Sequence, residues 1–253
     1  MDSTSTPTLF RKLYDIDLMK AETIKQELIA LANKEKATVL SSFFQTKEGQ
    51  YAHGDLFLGV TVPQTRKVVA PYKALPLREV TKLLQSKYHE CRFAALVILV
   101  HQFEKGNETE QEIIYTFYIN HTKYINNWDF VDLSSHKIVG AWLLDKDRTK
   151  LYDLAKSNWL WDQRIAIVST WAFIRYNQFE DILHLSEYFL THNHHLIHKA
   201  CGWMLREVGK RDKATLIQFL DKFASQMPRV MLRYSIEKLS GEERKSYLRA
   251  QIK

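Results

Sequence analysis

Apolar residues recur along this chain at intervals of three and four, with polar residues between them. Leu18, Ile24, Leu28, Leu31 and Ala32 make one such stripe, and Ile165, Val168, Ala172 and Ile174 another. That spacing collects apolar side chains on one face of a helix, and the alternation of a half-buried strand is almost absent. Glycine and proline, the usual breakers, number 8 and 5 in 253 residues, so long helical stretches run without interruption. The pattern predicts an all-α protein. A frayed Ser/Thr/Pro-rich tail is expected over residues 1–12, then helices over about 15–34 and onward to about Phe44. Residues 46–58 carry Gly49 and Gly54 among polar neighbours and read as a loop holding Tyr51. Gly59-Val-Thr-Val-Pro63 then opens another helix, with Pro63 in the first turn, where a missing N–H costs nothing.

From Lys87 onward a repeat emerges. Glu90-Cys-Arg92, Asn127-Trp128-Asp, Asp162-Gln-Arg164 and Ile197-His-Lys199 each follow a polar turn and open an amphipathic helix, with a fainter unit near Met227-Pro-Arg229. A period of about 35 residues with two helices per unit is the pattern of an α-solenoid of the HEAT or armadillo kind. Each hairpin then buries its apolar face only against its neighbours, giving one continuous core and one curved inner face. No linker or composition shift interrupts residues 1–253, so a single domain is expected. Trp128 and Arg164 are read as holding the same phase in successive units, with Trp203 one turn beyond Lys199.

Composition narrows the partners. Lys and Arg number 36 against 29 Asp and Glu, a formal +7, which favours a polyanion. The N-terminus lacks the apolar stretch of a secretory signal. The longest apolar run, Phe93 to Val100, is far short of a membrane span. A soluble, cytoplasmic protein, nucleoid-associated if bacterial, and acting as a monomer, is the expectation. Cys91 and Cys201 lie far apart in apolar sequence and read as reduced, buried thiols. His192, His194, His195 and His198 form a run without an adjacent carboxylate or thiolate, so they read as a polar turn and helix start and not as metal ligands. Neither a metal nor a cofactor is expected. No Gly-rich phosphate loop and no nucleophile motif is present, which disfavours nucleotide hydrolysis and acyl transfer.

One constellation has chemistry in it. Trp128 and Asp132 are four apart, one turn on a single helix face, and an indole beside a carboxylate stabilises a cation through both its π face and its charge. With Arg164 and Trp203 they make two arrangements possible. In one, two indoles and a carboxylate form an electron-rich cleft while Arg164 anchors a phosphate. In the other, the tryptophans fill gaps between repeats and Arg164 is an ion-pair partner of Asp132 or Asp129. Trp159, Trp161 and Trp171 read mostly as core. Basic residues gather late, with Arg206 and Lys210 on one face and Arg229 and Arg233 on another, either as phosphate contacts or as solvated faces balanced by Glu207 and Asp212.

At Gly54–Pro63, Asn127–Ser135, Leu160–Arg175 and Leu196–Asp212 the chain resembles the AlkD-like DNA alkylation repair family, DNA glycosylases built from HEAT-like repeats. The resemblance covers most of the chain and least of its first 45 or so residues. It implies a right-handed superhelical solenoid with a concave basic face. It also implies catalytic roles for Asp132, Trp128 and Trp203, and DNA contacts for Arg164, Tyr51, Arg66 and Arg206. The activity implied is hydrolysis of the N-glycosidic bond of cationic N3- or N7-alkylpurines in duplex DNA, without extrusion of the base. Two other readings stand beside it: a catalytically silent HEAT-repeat protein that binds nucleic acid through the same basic face, and a protein-binding solenoid.

Overall fold

The computed structural model describes residues 19–250. The tail expected over 1–12 and the helix start expected near Asp15 lie outside the described residues. Among the described residues the structure is all-helical; Leu56 and Tyr88 form an isolated bridge outside any strand. Two compact units divide the chain, Met1–Phe130 and Val131–Lys253.

The first unit contains α1 (Ala21–Ala30), α2 (Lys34–Phe43), α3 (Val62–Val69), α4 (Leu77–Leu84), α5 (His89–Lys105) and α6 (Glu108–Asn120). Helix α5 is its centre and packs against α1, α3, α4 and α6. Its middle is apolar on every side, with Ala94, Ala95, Leu96, Ile98 and Leu99 fully buried, as a helix surrounded by others requires. The expected loop at 46–58 is present, and α3 begins where Pro63 predicts, with Thr61 and Gln64 forming a reciprocal capping box. Gly59 sits at φ +81°, and a Cβ there would lie 2.1 Å from the Asn33 carbonyl oxygen, so only glycine lets this loop cross the start of α2.

Helix α7 (Trp128–Ser135) crosses the division and continues into a π-helical turn, His136–Gly140. The second unit then holds α8 (Thr149–Lys156), α9 (Leu160–Ile174), α10 (Glu180–Tyr188), α11 (His195–Arg211), α12 (Lys213–Phe223), α13 (Arg229–Ser235) and α14 (Gly241–Ala250). The π turn, α9, α11 and α13 pack each against the next, while α8 backs α9 and both α10 and α12 back α11. This inner and outer layering is what stacked hairpins produce. Gly140 admits a close approach of α9: a Cβ there would stand 2.2 Å from the Ser169 carbonyl oxygen.

The repeat phase differs from expectation. Trp128 is the first residue of its helix, whereas Arg164 and Lys199 are the fifth of theirs. Asp132, not Trp128, occupies the position equivalent to Arg164. The polar turns before successive helices differ in length, and a reading that aligns turns misplaces the helices by one turn.

Candidate active site

In the Val131–Lys253 unit, Asp132 and Arg164 form a two-pronged ion pair. Arg164 Nε donates to Oδ1 at 3.0 Å and Nη2 to Oδ2 at 2.8 Å, while Nη1 donates to the Leu196 carbonyl at 2.6 Å. Parallel N–H···O bonds of this kind fix a carboxylate in orientation as well as charge. The guanidinium is buried, with its side chain 6% exposed, but that of Asp132 is 22% exposed. The pair therefore presents an oriented carboxylate, partly open to solvent, with its counter-ion behind it. Of the two arrangements open in the sequence, Arg164 adopts the ion pair.

Beside this pair in the same unit stands an aromatic ladder. His136, in the π turn, tilts over Trp171 at 4.5 Å, and Trp171 meets Trp203 edge to face at 5.2 Å. Both indoles are half-buried, so Trp171 is no plain core residue, although Trp161 is buried and Trp159 exposed. Burial, and then the charges of Lys137 and Arg175, lower His136 to about 4, so the imidazole is neutral at physiological pH. Its Nδ1 has no hydrogen-bond partner.

In the Met1–Phe130 unit, Trp128 stacks on Phe44 at 5.1 Å, meets Phe43 edge to face at 6.0 Å and donates from Nε1 to the Tyr51 hydroxyl at 3.2 Å. Trp128 and Tyr51, far apart in sequence, thus form one aromatic wall. Behind it, His89 lies between Phe57 and Phe130, at 4.4 and 4.3 Å, with Nε2 at 2.7 Å from Asp129 and Nδ1 at 3.4 Å from Asp55. Arg92 closes the network with Nη2 at 2.6 Å from Asp55. Burial pulls the imidazole of His89 down, but the charge and hydrogen bond of Asp129, with that of Asp55, outweigh it and raise the group. Burial pushes Asp55 up in turn, and the hydrogen bond from His89 and the charge of Arg92 hold it below the usual carboxylate range.

Of the remaining expected residues, Arg66 lies on the surface and Arg206 is half-buried. Arg66 is exposed on α3. Arg206, on α11, pairs with Glu237 and, at 3.3 Å, with Glu207, which also takes Lys210 at 2.7 Å. Glu207 balances this face as the second reading of it expected, whereas Asp212 instead caps α12, accepting from Thr215 at 3.1 Å. The histidine run forms a turn and helix start, with His194 accepting from the Leu196 N–H at 3.2 Å. Cys91 and Cys201 are buried free thiols, pushed up by burial to about 11 and about 12.

Sequence reasoning missed Phe43, Phe44, His136 and the role of Trp171. The adjacent phenylalanines at the end of α2, a helix that buries none of its residues, were a readable signal. The π turn was not, because it adds a residue that no helical periodicity announces.

The fold is all-helical among the described residues, and its second unit carries an oriented carboxylate and two half-buried indoles. The chain matches the profile of the DNA alkylation repair enzyme family over residues 24–239, and it belongs to that family. Among solved structures it is similar to one described as a predicted DNA alkylation repair enzyme from Enterococcus faecalis. That likeness has a TM-score of 0.64 and 17% identity, covering 83% of this chain and 97% of the other, and shows a shared fold. No curated protein gives a significant match. No helix among the described residues is long and apolar enough to cross a membrane.

Proposed function

We propose that this DNA repair protein is a glycosylase that releases cationic N3- and N7-alkylpurines from duplex DNA, acting as a monomer without flipping the base. The observation that carries the reading is the partly exposed Asp132 carboxylate, held by Arg164 in a member of this family. An alkylated purine already bears positive charge, so it departs with the bonding electron pair without a proton from an acid. The positive charge passes to the deoxyribose, which becomes oxocarbenium-like. Asp132 stabilises that charge and receives the proton of the water that adds to C1′. Trp128 and Trp203 pack their π faces on the sugar, and Tyr51 holds Trp128 by its indole N–H. Arg164 serves mainly as the positioning group for Asp132. Arg66 contacts phosphate from the surface, and Arg206 does so in competition with Glu237.

The test is an excision assay on the unmutated protein with two duplexes, one carrying 7-methylguanine and one carrying uracil. The proposal expects release of the cationic base and none of the neutral one. Release of neither, or of uracil alone, rejects it.

A further inference from the structure

The Val131–Lys253 unit carries two short rows of side chains that run side by side. His136, in the π turn, follows Asp132 by one helical turn, and Trp171 follows Arg164 by two turns on α9, each pair sharing a face. Asp132 is paired with Arg164 in the first rung. In the second, His136 leans on Trp171 at 4.5 Å and 44°. Trp203, from α11, meets Trp171 edge to face at 5.2 Å and 62°. The indole that packs on the sugar in the proposed reaction is thus tied, through Trp171, to His136.

The π turn is fixed on both sides of this histidine. Ser169 of α9 donates to the Ser135 carbonyl at 3.4 Å, and a Cβ on Gly140 would lie 2.8 Å from the Ala172 Cβ, also of α9. Both contacts are with the helix that carries Trp171, so one frame holds the imidazole and the indole. A single π turn within a helix is rare and recurs at functional sites. The ring is also costly where it stands. His136 is 8% exposed, and its Nδ1 is buried without a partner, a penalty that a phenylalanine in the same place would not incur. Of the groups around it, Lys137 on the same turn and Arg175 at the end of α9 oppose a second proton on the ring, while the Asp132 backbone favours one. With burial on their side the first two prevail, and the ring brings no positive charge to a site in which a cation is to form.

We propose that His136 is a positioning residue for this site: its ring packs against Trp171 and thereby sets the angle at which Trp203 meets the sugar. The effect on base release rests on the function proposed above; the packing of the rings does not. The experiment compares His136→Gln, which removes the ring, with His136→Phe, which keeps one. The paired indoles of Trp171 and Trp203 give an exciton couplet in circular dichroism, identified as theirs by its loss in Trp171→Phe. His136→Gln should weaken that couplet about twofold or more. It should also slow single-turnover release of 7-methylguanine about tenfold, with duplex affinity within about twofold of the parent. His136→Phe should restore most of both. A couplet undiminished in His136→Gln, one that His136→Phe fails to restore, or release at the parental rate once the couplet has weakened overturns the proposal. The couplet is read without DNA, so a parent protein that releases no base rejects the glycosylase reading while the couplet still decides whether His136 holds the pair.

Discussion

Each unit contains a buried arginine on a carboxylate, and the two pairs are put to different use. In the first, Asp55 is 3% exposed in its side chain and shares itself among Arg92, His89 and Asn127. Every partner faces inward, so the charge is spent on holding the 55–58 segment against α5 and the start of α7. In the second, Arg164 is as buried as Arg92, but the Asp132 side chain it grips is 22% exposed. The same kind of ion pair is sealed in the first unit and reaches water through its carboxylate in the second. Exposure of the acid, not the strength of its pairing, separates the two.

Breaking the sealed pair should produce the largest effect on stability. Asp55→Asn leaves the Arg92 charge buried without its counter-ion and should cost about 3 to 5 kcal/mol by chemical denaturation. A loss under about 1 kcal/mol would mean that water or Asn126, which accepts from Arg92 at 2.8 Å, relieves the guanidinium.

Next comes a dependence on pH from the second unit. His136 titrates near 4 when folded, against an ordinary value of 6.5. Between those values the unfolded chain takes up a proton that the folded chain refuses. Stability is therefore full above the ordinary value, falls as pH drops and levels off below the folded value, a loss on the order of 3 kcal/mol. Burial lowers His194 to about 4 as well, with the same sign, so His136→Gln should reduce the slope without abolishing it in melts taken across the window; an unchanged slope would place the titration elsewhere.

A smaller effect sharpens the role of Arg164. Arg164→Lys keeps a charge beside Asp132 but loses the two parallel bonds, and excision should slow about tenfold. Arg92→Lys should lower stability while leaving the rate per folded molecule unchanged. Smallest is the effect at Arg206. Freeing it with Glu237→Gln should tighten duplex binding about twofold and steepen the salt dependence by less than about one counter-ion. Identical salt slopes would mean that Arg206 touches no phosphate.

Much of this was legible in the chain. The three- and four-residue spacing announced helices, Pro63 marked the start of α3, and the polar cluster at 46–58 marked the loop carrying Tyr51. The pairing of Arg164 with Asp132 was one of two arrangements the spacing allowed, and burial chose between them. A repeat read from turns assigned Trp128 the phase that belongs to Asp132, because turn length varies while helix packing does not. The His89 network was illegible for a different reason. It joins residues from 55 to 129 through the tertiary fold, and a lone histidine in apolar sequence carries no mark of the two carboxylates that will meet it.

In the proposed reaction Asp132 is the group that meets the developing sugar cation. Its most direct test is single-turnover release of 7-methylguanine by Asp132→Asn, with duplex affinity measured on the same preparation. The expected result is that release is lost while affinity stays within about twofold of the parent. Release at the parental rate would contradict it.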